Sequence, residues 1–282
     1  MKTGRISQTA LKVALIMLTL NEKPSWRKRL PANLADVTEK LLLAAAIPGI
    51  SPRLIRDNKR WAAVVLADIL ETRMPGTFEG IGERKIFIDQ QVRQAIEAGA
   101  TQVLVLGAGF DSLCLRLAAD FTSAQFFELD HPATSQAKQR GVAALGQPDN
   151  LSFINADLRQ QALTDVLQNT PDWDTGARTV VIAEGLFLYL TEADVLALFA
   201  AVDACTGEHS RVVFSHGLSA QGYQVANLFL NIIGEPWLSA CPAAELGGYI
   251  GRGWQVNVTQ PPRTRRDLEG FAVAAKTSII QT

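Results

Sequence analysis

The chain has 282 residues, of which 48% are hydrophobic and 20% are charged, and its formal net charge is −1. A chain of this length can bury a large core, and one α/β domain with additions fits it better than two independent domains. The balanced charge gives no strong field that would attract nucleic acid. Cys114, Cys205 and Cys241 show neither C-x-x-C nor Cys/His spacing. This argues against a zinc site or a disulfide framework and favours a reducing compartment.

The first apolar segment, Leu11–Leu20, is interrupted by Lys12 and is shorter than the about 20 residues that a membrane span needs. The residues that follow it, Asn21-Glu22-Lys23-Pro24, do not form a small-residue cleavage site. We therefore expect an amphipathic helix that ends near Pro24, in a cytoplasmic protein with no membrane partner.

Residues 1–95 predict an N-terminal helical cap, because their apolar residues recur at helical spacing and are separated by Pro and Gly. The predicted helices are Thr9–Leu20, Leu34–Ala46, Pro52–Leu70 and Glu83–Ala98. No segment of this part predicts a strand.

From Gly99 onward, short apolar runs alternate with helical stretches, which is the pattern of βαβ units and a parallel sheet. The runs lack alternation, as expected of strands covered on both faces. They are Val103–Leu106, Gln125–Leu129, Leu151–Ile154, Val180–Ala183 and Arg211–Phe214, and the predicted helices are Leu113–Ala119, Thr134–Ala144, Ala162–Gln168 and Glu192–Ala204.

Two further strands are predicted at Trp254–Thr259 and Phe271–Thr277, and their short connection favours antiparallel pairing. Residues 96–282 are thus expected to form one Rossmann-like domain. Its sheet should be mostly parallel with an antiparallel C-terminal pair, a shape typical of class I methyltransferases. An insertion near residues 217–250 should complete a substrate cap together with the N-terminal helices.

A glycine loop, Gly107-Ala108-Gly109, directly follows the first strand. Glycine lets the backbone turn sharply and approach a ligand closely, next to a helix N-terminus. The dinucleotide fingerprint needs a third glycine at position 112, where this chain has Ser112. The loop therefore favours a nucleotide-like cofactor without phosphates, although a plain strand-to-helix turn is the alternative.

Acidic residues end the next three strands. Asp130 lies 23 positions after Gly107, close to the offset of an acid that accepts both ribose hydroxyls, and its alternative role is a helix N-cap. Asp157 ends the third strand, where it could accept from an adenine amino group. Glu184 ends the apolar fourth strand and needs a cationic partner. That partner could be the ammonium of a cofactor or an arginine of the helical N-terminal region.

Five segments together resemble the leucine carboxyl methyltransferase family, which uses S-adenosylmethionine. They are GERKIFID (Gly82–Asp89), QVLVLGAGFDSLCLRL (Gln102–Leu117), FFELDHPATSQAKQR (Phe126–Arg140), NADLR (Asn155–Arg159) and AEGLFLYLTEADV (Ala183–Val195). The likeness covers roughly residues 80–200. The family includes enzymes that methylate a phosphatase's C-terminal leucine and many bacterial O-methyltransferases, some of which act on polyketides.

The resemblance implies S-adenosylmethionine as cofactor and assigns one role to each matching position. It implies that Arg84 binds the methionine carboxylate, a contact that suits a planar guanidinium. Glu184 would bind the methionine amino group and Asp130 the ribose. The remaining implied contacts are Gly107 and Gly109 beneath the methionine, and Asp157 and Leu158 around the adenine.

The acceptor is expected to be a carboxylate or hydroxyl of a small molecule, and only a hydroxyl would need a base. His216 lies just past the fifth strand and is the candidate base, with a capping or surface role as the alternative. Tyr189 could orient the acceptor or pack in the core.

The other readings are methylation of a protein C-terminal carboxylate, a non-catalytic relative that binds the cofactor, and an NAD-dependent oxidoreductase. No tyrosine has a lysine four residues on, as a short-chain dehydrogenase would. Methylation of a nucleic-acid base is disfavoured because Ala183-Glu184-Gly185-Leu186 replaces the Asn/Asp-Pro-Pro-aromatic segment.

Overall fold

The structure is a computed structural model that describes residues 6–73, 76, 78–218, 237–238, 240–260 and 269–277. The N-terminal part is helical, as predicted. Its helices are α1 (Gln8–Asn21), α2 (Pro24–Arg27), α3 (Leu34–Ala45), α4 (Pro52–Asp57), α5 (Trp61–Arg73) and α6 (Glu79–Glu97).

Strands and helices alternate from Gln102 onward. The elements are β1 (Gln102–Leu106), α7 (Leu113–Asp120), β2 (Gln125–Asp130), α8 (Pro132–Leu145), β3 (Leu151–Asn155), α9 (Leu163–Gln168), β4 (Thr179–Ala183), α10 (Glu192–Cys205), β5 (Arg211–Gly217), α11 (Leu246–Tyr249), β6 (Trp254–Gln260) and β7 (Glu269–Lys276). Most of the insertion expected near 217–250, namely residues 219–236, lies outside the described residues.

The seven strands form one sheet in the order β3-β2-β1-β4-β5-β7-β6. Strands β1 to β5 pair in parallel. Strand β7 pairs antiparallel with both β5 and β6. The predicted fold class is therefore confirmed, with a mostly parallel sheet, an antiparallel C-terminal pair and a helical N-terminus.

The central strand β1 shows why these apolar runs form buried strands. Leu104 and Leu106 point to the face covered by α9 and α10, whereas Val103 and Val105 point to the face covered by α6 and α7. All four side chains are at most 4% exposed. Burying an aliphatic side chain of this size contributes about 1.5–3 kcal/mol, so a strand covered on both faces gains from every residue.

One helical prediction in the N-terminal part was wrong in detail, and one short helix was missed. The single helix expected over Pro52–Leu70 is two helices, because α4 ends at Asp57 and α5 begins at Trp61. At the break, the Asn58 side-chain amide donates to the Leu54 carbonyl at 2.8 Å, a local bond that competes with the helix. The short α2 was not predicted, since four residues carry no periodic signal.

The helical layer packs on the sheet domain through a close contact between α3 and α8. A Cβ atom at Gly141 of α8 would lie 2.8 Å from the Leu41 carbonyl oxygen and 2.9 Å from the Leu41 Cδ1. Both distances are shorter than a carbon side chain tolerates. The absence of a side chain at Gly141 therefore sets how closely the two helices approach.

We predict that Gly141→Ala lowers the free energy of unfolding by about 1–3 kcal/mol, because the added methyl group meets a backbone oxygen that cannot rotate away. Urea unfolding followed by circular dichroism measures this change. Gly80→Ala in α6 is the matched control, since a Cβ there meets no atom within 4 Å. That control should keep or slightly raise stability. An unchanged stability of Gly141→Ala would contradict the close α3–α8 packing.

Candidate cofactor and acceptor site

A cavity of about 970 Å³ lies at the carboxyl ends of β1 to β4, beneath the N-terminal helices. Its sheet side is lined by loop and strand-end residues, including Gly107, Gly109, Asp111, Asp130, Asp157, Leu158 and Glu184. Its opposite wall comes from α1 and α3, through Ala10, Val13, Ala14, Met17, Leu34 and Thr38. Ligands of open α/β sheets bind at this edge.

The glycine loop needs its two glycines for backbone conformation and for space. Gly107 has φ +69° and Gly109 has φ +49°, in the left-handed region that other residues rarely adopt. A Cβ at Gly109 would lie 2.8 Å from the Ala10 Cβ of α1. The loop therefore approaches the capping helix closely on one side and faces the cavity on the other.

Asp130 at the end of β2 is fixed through both carboxylate oxygens. Oδ2 accepts from the backbone N–H of Gly109 and Oδ1 from that of His131, each at 2.6 Å. Burial raises the pKa of Asp130, although these two hydrogen bonds partly offset it. The N-cap of α8 is His131, whose ring accepts from the Ala133 N–H, so the alternative reading of Asp130 as the N-cap was wrong.

Asp157 follows β3 and is held by Arg159. The guanidinium donates to Oδ1 through Nε at 2.9 Å and to Oδ2 through Nη2 at 2.6 Å. These hydrogen bonds lower the pKa of Asp157 to about 2. The neighbouring Leu158 adds an apolar surface to the same stretch of wall. The two residues thus present a carboxylate next to an aliphatic side chain.

Charged side chains from four parts of the chain meet at the other end of the cavity. This ion cluster consists of Arg84, Lys85, Asp111, Glu184 and Glu269. Arg84 Nε lies 3.0 Å from Glu184 Oε1, and its Nη1 lies 2.7 Å from Glu269 Oε2. Lys85 Nζ lies 2.7 Å from Glu184 Oε1 and 2.7 Å from Asp111 Oδ2. Arg84, named by the resemblance as a cofactor ligand, is thus a direct partner of Glu184.

The partners of Arg84, Lys85 and Asp111 favour the charged forms of these three side chains. Burial lowers the pKa of Arg84, but Glu269 and Glu184 outweigh it and the net shift is upward. Burial likewise opposes the charge on Lys85, whose pKa is nevertheless raised by Asp111 and Glu184. The pKa of Asp111 lies well below its ordinary value, because Lys85 and Lys138 outweigh the effect of burial. Two cations therefore face three carboxylates, which leaves one excess negative charge.

Two polar atoms of the ion cluster, Glu184 Oε2 and Arg84 Nη2, are not used in its internal contacts. Both contacts of Glu184 use Oε1, and no described residue donates to its Oε2. Arg84 uses Nε and Nη1, and within the described ranges nothing accepts from its Nη2. Arg84, Lys85 and Glu184 all line the cavity. The arrangement can therefore bind a group that carries both an anion and a cation.

The sequence matches the leucine carboxyl methyltransferase family over residues 22–203, which is more than half of the chain. The chain belongs to this family.

A relative from Mycobacterium tuberculosis is 39% identical over 142 residues, which cover 48% of this chain and 45% of the relative. The match thus spans about half the length of that curated relative. Another, from Frankia alni, is 28% identical over 267 residues, covering 88% and 82% of the two chains. Both are provisionally named S-adenosyl-L-methionine-dependent methyltransferases.

Solved structures with the same fold include a protein from Thermobifida fusca provisionally titled a methyltransferase, with a TM-score of 0.61 and 19% identity. The match covers 90% of this chain and 98% of that one. A DUF574 family protein from Streptomyces avermitilis has a TM-score of 0.58 at 13% identity, covering 85% and 97% of the two chains. At these identities the likeness shows the fold alone.

Of the two acceptor-side candidates, the structure brings only Tyr189 to the cavity wall. The His216 ring is 2% exposed, and its Nδ1 lies 2.7 Å from the Cys241 carbonyl oxygen. Its Nε2 faces Gly270, where a Cβ would lie 2.7 Å away. Burial lowers the pKa of His216. His216 is not among the described residues that line the cavity. A base for the acceptor would be expected to line it.

Three members of the ion cluster, Lys85, Asp111 and Glu269, were not singled out from the sequence. Lys85 and Asp111 lie inside the motifs GERKIFID and GAGFD, so their positions were visible but their pairing was not. Glu269 is 185 residues from Arg84. Nothing local marks it, and only the strand order brings it to the site.

We predict that Asp111→Asn lowers the free energy of unfolding at pH 7 by about 3 kcal/mol, because Lys85 loses a buried carboxylate partner. Since the folded-state pKa of Asp111 is depressed, its stabilisation is present above the ordinary pKa of 3.8 and is lost as the pH falls below it. Urea unfolding between pH 7 and pH 3 measures both effects.

Asp120→Asn is the control for this measurement, because Asp120 pairs with Arg93 at the surface and its side chain is 53% exposed. It should change stability by less than about 0.5 kcal/mol. If Asp111→Asn were as mild as this control, the Lys85–Asp111 contact would not be the buried ion pair described above.

Proposed function

We propose that this protein is an S-adenosylmethionine-dependent methyltransferase. The observation that carries the proposal is that one cavity joins the ion cluster, the glycine loop and Asp130 at the ends of neighbouring strands. An amino-acid group, a chain with a sulfonium centre and a ribose follow one another in the cofactor in the same order. The names of the family relatives support the same cofactor.

Each end of the cofactor has a chemically matching group on the wall. Arg84 Nη2 can donate to the methionine carboxylate, and Glu184 Oε2 can accept from its ammonium. The Asp130 carboxyl oxygens can accept from the two ribose hydroxyls. Asp157 and Leu158 can hold the adenine by its amino group and its face. Gly107 and Gly109 leave space for the methionine chain, since neither carries a Cβ.

The chain's contribution to the reaction is positioning and exclusion of water. When bound, S-adenosylmethionine would supply a methyl group on a positively charged sulfur for transfer to an acceptor oxygen, with S-adenosylhomocysteine as the leaving product. Aligning the two reactants accounts for up to about 7–11 kcal/mol of the barrier. The apolar residues Val13, Ala14 and Met17 of α1 line the same cavity.

We propose that the acceptor is a small molecule with a carboxylate or hydroxyl oxygen. The cavity is at the upper end of the about 300–1,000 Å³ range of ligand pockets, which leaves room beside a cofactor. Tyr189 is proposed to orient the acceptor. The role of base is not assigned to His216, because its ring faces Cys241 and Gly270. A carboxylate acceptor needs no base, whereas a hydroxyl would release a proton.

The division into a helical cap, residues 1–95, and a cofactor-binding domain, residues 96–282, belongs to this proposal, with residues 217–250 completing the cap. Residues of α1 and α3 already line the cavity from above. None of the helices in the described ranges combines the length and the apolar character needed to cross a membrane. We propose a cytoplasmic enzyme with a small-molecule substrate.

Isothermal titration calorimetry tests the cofactor directly. We expect S-adenosylmethionine and S-adenosylhomocysteine to bind and NAD not to bind. Arg84→Ala and Asp130→Ala should each weaken S-adenosylhomocysteine binding about 10–100-fold, because each removes charge-assisted hydrogen bonds. Asp149→Ala, in an exposed turn away from the cavity, is the control and should bind as the wild type does.

Binding of NAD alone would contradict the proposal, and so would unchanged affinity in both cavity variants. Transfer of a radiolabelled methyl group to small carboxylic acids and hydroxyl compounds then separates an enzyme from a relative that only binds the cofactor.

A further inference from the structure

Lys85 stands next to Arg84 on α6, yet both side chains reach the same oxygen atom. Adjacent helical residues do not face each other, so a shared contact requires two long side chains to converge. Here Arg84 Nε and Lys85 Nζ lie 3.0 and 2.7 Å from Glu184 Oε1. The Lys85 side chain is only 7% exposed, and it lines the cavity. The fold thus places two cationic groups side by side at one end of the cavity.

The Lys85 ammonium has hydrogen-bond donor capacity beyond its bond to Asp111. An ammonium carries three N–H donors. One of them donates to Asp111 Oδ2 at 2.7 Å, and Nζ also forms an ion pair with Glu184 Oε1 at 2.7 Å. No other described side-chain carboxylate lies within ion-pair distance of Nζ. A buried ammonium is costly to leave incompletely bonded, so a ligand oxygen in this position would be favourable.

We propose that Lys85 is a second binding residue for the carboxylate at the amino-acid end of the cofactor, beside Arg84. This inference rests on the proposed function and adds to it the basis for selecting ligands that carry an amino-acid end. The ammonium at the amino-acid end of the cofactor is repelled by the positive charge of Lys85. It therefore donates to Glu184 Oε2. The carboxylate is left between Arg84 Nη2 and an N–H of Lys85 that does not donate to Asp111.

Lys85 also makes a structural contact that a test must separate from binding. Asp111 follows the glycine loop and precedes Ser112, the N-cap of α7, and its Oδ1 accepts from the Leu113 N–H at 3.0 Å. Loss of Lys85 could therefore shift the loop and weaken every ligand that touches it. A binding role weakens only ligands that have the carboxylate. This difference decides between the two roles.

The test is calorimetry on Lys85→Met, which keeps the length of the side chain and removes its charge. The probes are S-adenosylhomocysteine and 5′-methylthioadenosine, which has the adenosine and the thioether but no amino-acid end. We expect S-adenosylhomocysteine to bind about 10–100-fold more weakly and 5′-methylthioadenosine to bind within about twofold of wild type. Lys85→Arg should restore part of the lost affinity. Lys59→Met is the matched control, since Lys59 pairs with Glu39 outside the cavity.

Equal losses for both probes, or no loss for S-adenosylhomocysteine, would overturn the role of Lys85 while wild-type binding still upheld the proposed function. A wild type that bound neither S-adenosylhomocysteine nor S-adenosylmethionine would overturn the proposed function and this inference with it.

A second measurement does not depend on a Lys85 variant that folds. It compares S-adenosylmethionine with its decarboxylated analogue on Arg84→Met. If Lys85 contacts the carboxylate, this variant still binds S-adenosylmethionine more tightly than the analogue, by about tenfold or more. Equal affinity for the two would show that Arg84 alone recognises the carboxylate and would overturn the inference.

Discussion

The contact between the two cations of α6 and Glu184 is the interaction on which the rest of this structure depends. It joins an N-terminal helix to the end of β4, 100 residues away, and through Glu269 to the start of β7. Charges removed from water are favourable only when every partner is in place. The cluster therefore forms only when the helical part, the glycine loop and the C-terminal strands have all packed.

The same packing makes the cavity a suitable place for charge recognition. Ala10 of α1 lies close to Gly109, and apolar residues of that helix line the same cavity as Arg84, Lys85 and Glu184. An apolar lining that excludes water strengthens electrostatic interactions in the cavity, because the effective dielectric constant there is lower than in water. In the proposed function, the one excess negative charge of the cluster suits a cofactor that carries a positively charged sulfur. The fold would then contribute binding and alignment to the proposed methyl transfer.

The sheet and the strand-end acids could be predicted from sequence, because both depend on local patterns. Apolar runs locate the strands, and parallel strands bring Asp130 and Glu184 to one edge. Strand order is not local. Strand β7 pairs beside β5, with His216 opposite Gly270, which covers the histidine expected to face the acceptor. The same insertion of β7 brings Glu269 to Arg84, and no sequence spacing indicates it.

A crystal structure of the protein with S-adenosylhomocysteine tests the account most directly. We expect the ligand carboxylate within hydrogen-bond distance of Arg84 Nη2, its amino group at Glu184 Oε2, and both ribose hydroxyls at the Asp130 carboxylate. Side chains of the ion cluster should keep their mutual contacts. A ligand bound outside this cavity, or one whose amino-acid end points away from the ion cluster, would contradict the account.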